Sequence, residues 1–156
     1  MKDDLYIIDL PNADPADLAR MATVSASSAE EPSVNAINGV GRPVDYRYNG
    51  WRSKPGLPQW IELEFHETRP IAELRIRFDT DLNRRLHIPA GPIPACVKDY
   101  RILAWQDGAW REVAACRDNV QRDRRHPLAV ETCKLRVEVL ETWGAEDARV
   151  FELRAY

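Results

Sequence analysis

Apolar and polar residues alternate in several separate segments of this chain. Residues 60–65, 72–78, 134–139 and 151–156 all carry an apolar residue at every second position. A period of two places the apolar side chains on one face of a β-strand. The segment 100–105 is apolar on both faces, which predicts a central strand, and Asp107-Gly108 predicts a hairpin turn after it. Several short strands separated by turn signals favour an antiparallel β-sandwich.

Length and charge exclude several classes of function. The 156 residues suit one domain. With 22 Lys and Arg against 25 Asp and Glu, the net charge of −3 does not indicate a nucleic-acid-binding surface. No segment approaches the ~20 consecutive apolar residues that span a membrane. We therefore expect neither nucleic acid nor a membrane as a partner.

The cysteines and the acid–base residues do not form a recognisable reactive motif. Cys96, Cys116 and Cys133 have no CxxC spacing, so a zinc site is disfavoured and buried free thiols are expected, with one disulfide plus one thiol as the alternative. No histidine belongs to a nucleophile or metalloprotease motif. Asp79 and Asp81 could act as a glycosidase pair, but they more readily order the turn after a strand. The sequence therefore predicts no enzyme, and a stand-alone hydrolase or lyase is disfavoured.

Four long segments between the predicted strands are the expected place for a binding site, because a rigid sandwich presents its loops. They cover residues 38–59, 80–95, 117–127 and 142–147. Aromatic rings that pack on a sugar, together with side chains that bind its hydroxyls, are the elements of a carbohydrate site. The candidate ligand-binding residues of this kind are Tyr46, Tyr48, Arg85, His87, Arg124, His126 and Trp143. A solvated loop is the alternative interpretation of the basic groups at 84–85 and 122–126.

A set of separated motifs resembles a known family. The chain contains Asn35-Ala36-Ile37-Asn38-Gly39, then Trp51, then Pro58-Gln59-Trp60-Ile61-Glu62-Leu63, then Phe78-Asp79, and it closes on Arg149-Val150-Phe151-Glu152-Leu153-Arg154-Ala155-Tyr156. In order and spacing these motifs resemble the coagulation-factor type C, or discoidin-like, domains of the galactose-binding-like superfamily. The resemblance covers residues 19–156 and leaves 1–18 as an N-terminal extension or linker. It implies an all-β jelly-roll sandwich of about eight strands that binds a ligand without catalysis.

The same resemblance implies a structural calcium ion. In the family, main-chain carbonyls and an acidic side chain of the first turn bind the metal together with a glutamate of the final strand. The corresponding residues here are Ala36, Asn38 and Glu152, with Asn38 at a position where Asp is usual. The loss of that charge weakens the expectation, because calcium affinity follows ligand charge. In the alternative, Asn38 orders the turn and Glu152 pairs with an arginine.

A narrower resemblance concerns Phe78-Asp79-Thr80-Asp81-Leu82, Asp107-Gly108-Ala109-Trp110 and the segment 119–126. This series is similar to the C-terminal region of certain bacterial FAD-dependent oxidoreductases, and it implies that any FAD belongs to another part of the parent chain. The leading hypothesis is a carbohydrate-binding module that directs a larger protein to a glycan or polysaccharide. The alternative is an accessory domain that docks on the catalytic domain of its parent chain. We expect an extracellular or periplasmic location as part of a larger exported protein, with the export signal outside this sequence, because residues 1–4 lack the apolar core of a signal peptide.

Overall fold

The computed structural model describes residues 11–81 and 91–156. In this part of the chain the structure is built almost entirely of β-strands, with two short 3-10 helices before and after the first strand. No described helix is long and apolar enough to cross a membrane. The elements in chain order are a 3-10 helix Leu18–Met21, β1 Thr23–Ala26, a 3-10 helix Ser33–Ile37, β2 Trp51–Arg52, β3 Gln59–Phe78, β4 Val97–Gln106, β5 Ala109–Cys116, β6 Asp123–Thr142 and β7 Arg149–Ala155.

Two long strands, β3 and β6, join the two layers of the fold. Residues 59–64 of β3 pair with 134–139 of β6, and after a register shift residues 69–77 pair with 123–132. The first half of β3 also pairs with β1, and the second half of β6 pairs with β4, which pairs with β5. The second half of β3 pairs with β7, which pairs with β2. The predicted all-β jelly-roll sandwich is confirmed, and the described residues form seven strands, against the expected number of about eight.

The alternation of apolar residues correctly predicts most of the core. The side chains at positions 61, 63, 65, 74, 76, 78, 135, 137, 139, 153 and 155 are buried. Ala72 is the exception: it is exposed, and Ile71 is buried in its place. The reason is a register shift between Ile71 and Glu73, which reverses the faces of the strand at that point.

Three local features concern the hairpin turn after β4, the cap of the first 3-10 helix and the cysteines. Asp107 and Gly108 both have positive φ and connect β4 to β5, as the hairpin signal predicts. Asp17 caps the first 3-10 helix and also accepts a hydrogen bond from Ala155 N at 3.0 Å, so the end of the predicted extension packs on the last strand. Cys116 and Cys133, which were expected to be buried, are half-buried free thiols, whereas Cys96 is a buried free thiol.

Candidate ligand-binding cleft

A cleft of about 540 Å³ lies where the loop before β2 meets the ends of β3 and β7. The loop contributes two aromatic side chains to it, and the strand ends contribute charged ones. Its principal lining residues are Tyr46, Tyr48, Asp79, Arg122, Arg149 and Phe151. An aromatic surface beside fixed polar groups is the usual composition of a small-ligand site.

Tyr46 stands at the rim of this cleft on a tight turn. Val44 and Arg47 exchange two backbone hydrogen bonds of 3.0 and 2.9 Å, and the two residues between them, Asp45 and Tyr46, have positive φ. Such a turn fixes the backbone, and the Tyr46 side chain is fully exposed. A ring held by a closed turn loses little conformational entropy when a ligand packs on it.

Tyr48 forms a less exposed wall of the cleft. Its ring centroid lies 4.7 Å from that of Phe151, and its hydroxyl donates to the Trp51 carbonyl oxygen over 3.4 Å. Burial, followed by the charge of Asp79, raises the pKa of Tyr48, so the phenol stays neutral. Trp51 is completely buried beneath the loop and donates its indole N–H to the Ser28 carbonyl.

The charged groups of the cleft are balanced against one another. Arg149 lies 3.4 Å from Asp79 and donates to Asp147 at 2.9 Å; Asp147 also accepts from Arg52 at 2.6 Å. Burial of Asp147 opposes its ionisation, but Arg149 and Arg52 hold its pKa below the usual range. Asp79 accepts the Asp81 N–H at 2.8 Å, which confirms that this aspartate orders the turn after β3. The paired charges offer donors and acceptors without a large net charge.

Arg122 connects the loop to the sheet behind the cleft. Its guanidinium donates to the Gly41 carbonyl at 2.8 Å and to the Phe78 carbonyl at 3.1 Å, and it lies 5.0 Å from the centre of the Phe151 ring. Burial lowers its pKa, and the nearby Arg77 adds to that effect. Arg122 therefore fixes the position of the loop relative to β3 and β7.

The structure brings together only part of the predicted site. Tyr46 and Tyr48 both line the cleft. Arg85 and His87 lie outside the described residues. Arg124 and His126 were expected in a loop, but β6 begins at Asp123 and places both of them in the strand.

His126 and Trp143 make contacts away from the cleft. His126 is buried between the layers, with Nε2 2.8 Å from the Tyr100 hydroxyl. Trp143 is partly buried and donates its indole N–H to the Asn119 carbonyl at 2.6 Å, with Lys98 Nζ 5.1 Å from its ring. Neither residue lines the cleft. Their assignment as ligand contacts stays a prediction without geometric support.

Sequence reasoning missed several residues of the cleft. Arg122, Arg149 and Phe151 were not among the candidates, although Arg149 and Phe151 belong to the closing motif of the resemblance. The usable signal is the position of Arg149 at the start of the final predicted strand, because a charged residue at a strand end lies beside the loops. Arg122 belongs to the basic group at 122–126, but its role depends on contacts with Gly41 and Phe78, which are distant in the sequence.

The residues predicted to hold calcium are largely committed to other partners. Asn38 Oδ1 accepts the Val40 N–H at 2.9 Å, and Glu152 Oε2 accepts from Arg154 at 2.9 Å. Ala36 is buried, and Glu152 Oε1 is buried without a hydrogen-bond partner in the described structure. Calcium takes ~6–8 oxygen ligands. One orphaned carboxylate oxygen beside a guanidinium does not fit that requirement.

Comparisons with known proteins identify the fold. No protein-family model matches the sequence, and a search of curated proteins finds no match. Among solved structures, the family 32 carbohydrate-binding module of Streptococcus pneumoniae EndoD matches with a TM-score of 0.71 at 15% identity, over 90% of this chain and 98% of the module.

Two further modules match over the same 90% of this chain. The family 32 module of Clostridium perfringens NanJ, solved with galactose, has a TM-score of 0.65 at 20% identity over 97% of its length. Chitosan-binding module 1 of a chitosanase/glucanase from Paenibacillus sp. IK-5 has a TM-score of 0.68 at 18% identity over 98% of its length. The chain therefore has the β-sandwich fold of these carbohydrate-binding modules.

Proposed function

We propose that this chain is a non-catalytic carbohydrate-binding module whose ligand occupies the cleft beside Tyr46. The observation that carries the proposal is the fully exposed Tyr46 ring, held by a closed turn at the rim of a cleft with paired arginine and aspartate side chains. The shared fold supports it, since one matched module was solved in complex with galactose and another is a chitosan-binding module.

Each part of the cleft has a role in this proposal. The C–H face of a sugar packs on the Tyr46 ring, whose face is otherwise exposed to water. Arg149 donates to hydroxyl groups, and Asp79 accepts from them, while their mutual pairing keeps the site close to neutral. A neutral set of donors and acceptors suits hydroxyls better than it suits a charged group.

The cleft carboxylates support binding without catalysis. Asp79 is buried and already engaged by Arg149 and by the Asp81 N–H. A carboxylate that orders a turn and balances an arginine is poorly placed to act as a nucleophile or general acid. We therefore assign the Asp79–Asp81 pair to the shape of the cleft.

As a targeting module, the chain would act within a larger exported protein, extracellular or periplasmic. The matched Paenibacillus module derives from a chitosanase/glucanase, which is an example of such an arrangement. A catalytic domain of the parent chain is then the expected partner, and the glycan is the ligand. The resemblance to the C-terminal region of FAD-dependent oxidoreductases stays a prediction, as does the alternative of a docking domain without a sugar ligand.

A glycan array followed by calorimetry tests this proposal. Covering roughly 80 Å² of ring at ~25 cal/mol per Å² contributes about 2 kcal/mol. Tyr46→Ala should therefore weaken binding of the best array ligand roughly thirtyfold, whereas Tyr46→Phe should change it little. Val120→Ala, an exposed apolar residue that does not line the cleft, is the control. Equal affinities for Tyr46→Ala and the unmutated chain would refute the assignment.

A further inference from the structure

Four consecutive carbonyl oxygens of the loop, those of residues 39–42, each accept a hydrogen bond from the protein. Residue 39 accepts from the Asn12 N–H at 2.7 Å, and residue 41 accepts from Arg122 at 2.8 Å. The Asn49 side-chain amide donates to residue 40 at 2.7 Å and to residue 42 at 3.3 Å. These are main-chain oxygens of the kind that a calcium loop turns toward its metal. Here each of them already accepts a hydrogen bond from the protein, and an ion would have to compete with those donors.

The amide side chains also connect the two ends of this loop. Asn38 donates to Asn49 Oδ1 at 2.7 Å, while its own Oδ1 accepts from the Val40 N–H at 2.9 Å. A bound metal would otherwise hold such loop segments together through shared ligands. Asn38 and Asn49 do this by hydrogen bonding instead.

A guanidinium group fills the space beneath Gly41. A Cβ atom placed on Gly41 would lie 2.5 Å from Nη1 of Arg77 and 3.0 Å from Oε2 of Glu152. Arg77 donates through Nε to Asp123 at 2.7 Å, and its Nη1 is 3.6 Å from Glu152. Arg154 donates to the same Glu152 oxygen at 2.9 Å. The two arginines bring two positive charges to the buried glutamate, the same charge that a calcium ion carries.

We propose that Arg77 and Arg154 take the place that the resemblance gives to calcium, so that the loop and the cleft beside it are ordered without a metal. A buried carboxylate requires a balancing charge, and here the strands supply it. Calcium could approach Glu152 only by displacing a guanidinium, and it would gain one free oxygen there. Ligand binding in the cleft should then be independent of calcium as well, and this last point alone rests on the proposed function.

Thermal unfolding in calcium and in chelator tests this directly, without a glycan. The melting temperature of the chain should be the same, within about 1 °C, in 1 mM calcium chloride and in 1 mM EDTA. A ligand present at a hundredfold its Kd would raise it by about 5–11 °C. Elemental analysis of the purified chain should find well under one calcium ion per chain. A saturable rise of the melting temperature with calcium, or stoichiometric calcium, would overturn the proposal.

A double-mutant cycle tests the arginine as the replacement. Arg77→Met should lower the melting temperature by at least about 5 °C, because it removes one of two partners of a buried glutamate. Glu152→Gln should cause a similar loss, equal in calcium and in EDTA, and the double variant should lose clearly less than the sum. Arg111→Met, which removes an exposed ion pair with Asp107, is the control and should change little. Additive losses would refute the coupling between Arg77 and Glu152.

If both metal measurements gave calcium binding but Tyr46→Ala still weakened glycan binding as expected, the arginine proposal would fail and the function would stand. If the array showed no ligand but the melting temperature was the same in calcium and in EDTA, the proposed function would fail and the arginine proposal would stand. The two proposals therefore fail separately.

Discussion

Replacing Arg122 by methionine should loosen the loop that carries Tyr46 and with it the cleft. Arg122 is a positioning residue: its guanidinium holds the Gly41 carbonyl of the loop and the Phe78 carbonyl of β3, and it covers one face of Phe151. Methionine is long and apolar, so it keeps part of the packing on Phe151 but provides no donor. Both carbonyl groups then need water or remain unsatisfied.

The magnitude follows from these contacts. A hydrogen bond that involves a charged group contributes about 1.5–3 kcal/mol, and a cation–π contact of this kind contributes about 0.5–1 kcal/mol. Water can replace part of the two hydrogen bonds, because Arg122 is only partly buried. We therefore expect a loss of about 3 kcal/mol, which lowers the melting temperature by roughly 6–12 °C in a domain of this size.

Thermal denaturation and calorimetry with the best array ligand provide the assay. Arg122→Met should lose stability and also bind at least tenfold more weakly, since the loop that carries Tyr46 is no longer fixed. Arg42→Met is the matched control: Arg42 also lines the cleft, but its side chain bonds only to the neighbouring Pro43 carbonyl, at 3.3 Å. It should leave the melting temperature unchanged. An Arg122→Met variant that melts at the same temperature as the unmutated chain would refute this account of the loop.

Two further predictions concern residues that lie away from the cleft. Burial, and after it the charge of Arg124, lowers the pKa of His126; the unfolded chain therefore binds more protons between the lowered pKa and about 6.5, and stability should fall as the pH drops through that window. His126→Gln should flatten this decline in melting temperature between pH 7 and pH 5, and an equally steep decline would contradict the role given to His126. Trp143→Phe removes the hydrogen bond to the Asn119 carbonyl and should lower the melting temperature by about 2–6 °C, with unchanged glycan affinity; a clear loss of affinity would return Trp143 to the binding site.

Much of the fold could be predicted because strand alternation is a local property. The positions that alternate around Leu63, Ile76 and Val137 report the buried face directly, and the structure confirms them. Ala72 could not be placed correctly, because the register shift beside it depends on pairing with β6. The start of β6 was also missed, since residues 123–126 are Asp, Arg, Arg and His and show no apolar alternation.

Polar residues can form a strand there because tertiary contacts satisfy them. Asp123 accepts a hydrogen bond from Arg77 of β3, and His126 forms a hydrogen bond with Tyr100 of β4. Neither partner is close in the sequence. From the sequence alone a basic run of this kind therefore indicates an exposed loop, although in the structure its residues belong to a strand.

The cleft was predictable to the same extent. Tyr46 and Tyr48 were identified because they are aromatic residues in a long loop, where a ring can pack on a sugar. Both line the cleft. Arg149 and Arg122 reach it only because the start of β7 and the start of β6 both lie beside the end of β3. Sequence position indicates which loops are long, whereas strand pairing determines which loops meet.

The most direct test of the proposed function is an NMR titration of the isotopically labelled chain with the best ligand of the glycan array. The account predicts that amide shifts change in a connected patch around Tyr46, Tyr48, Asp79 and Arg149, and that the amides of His126 and Trp143 stay unchanged. A patch centred on His126 or Trp143, or no saturable shifts with any array ligand, would contradict the assignment of this cleft as a carbohydrate site.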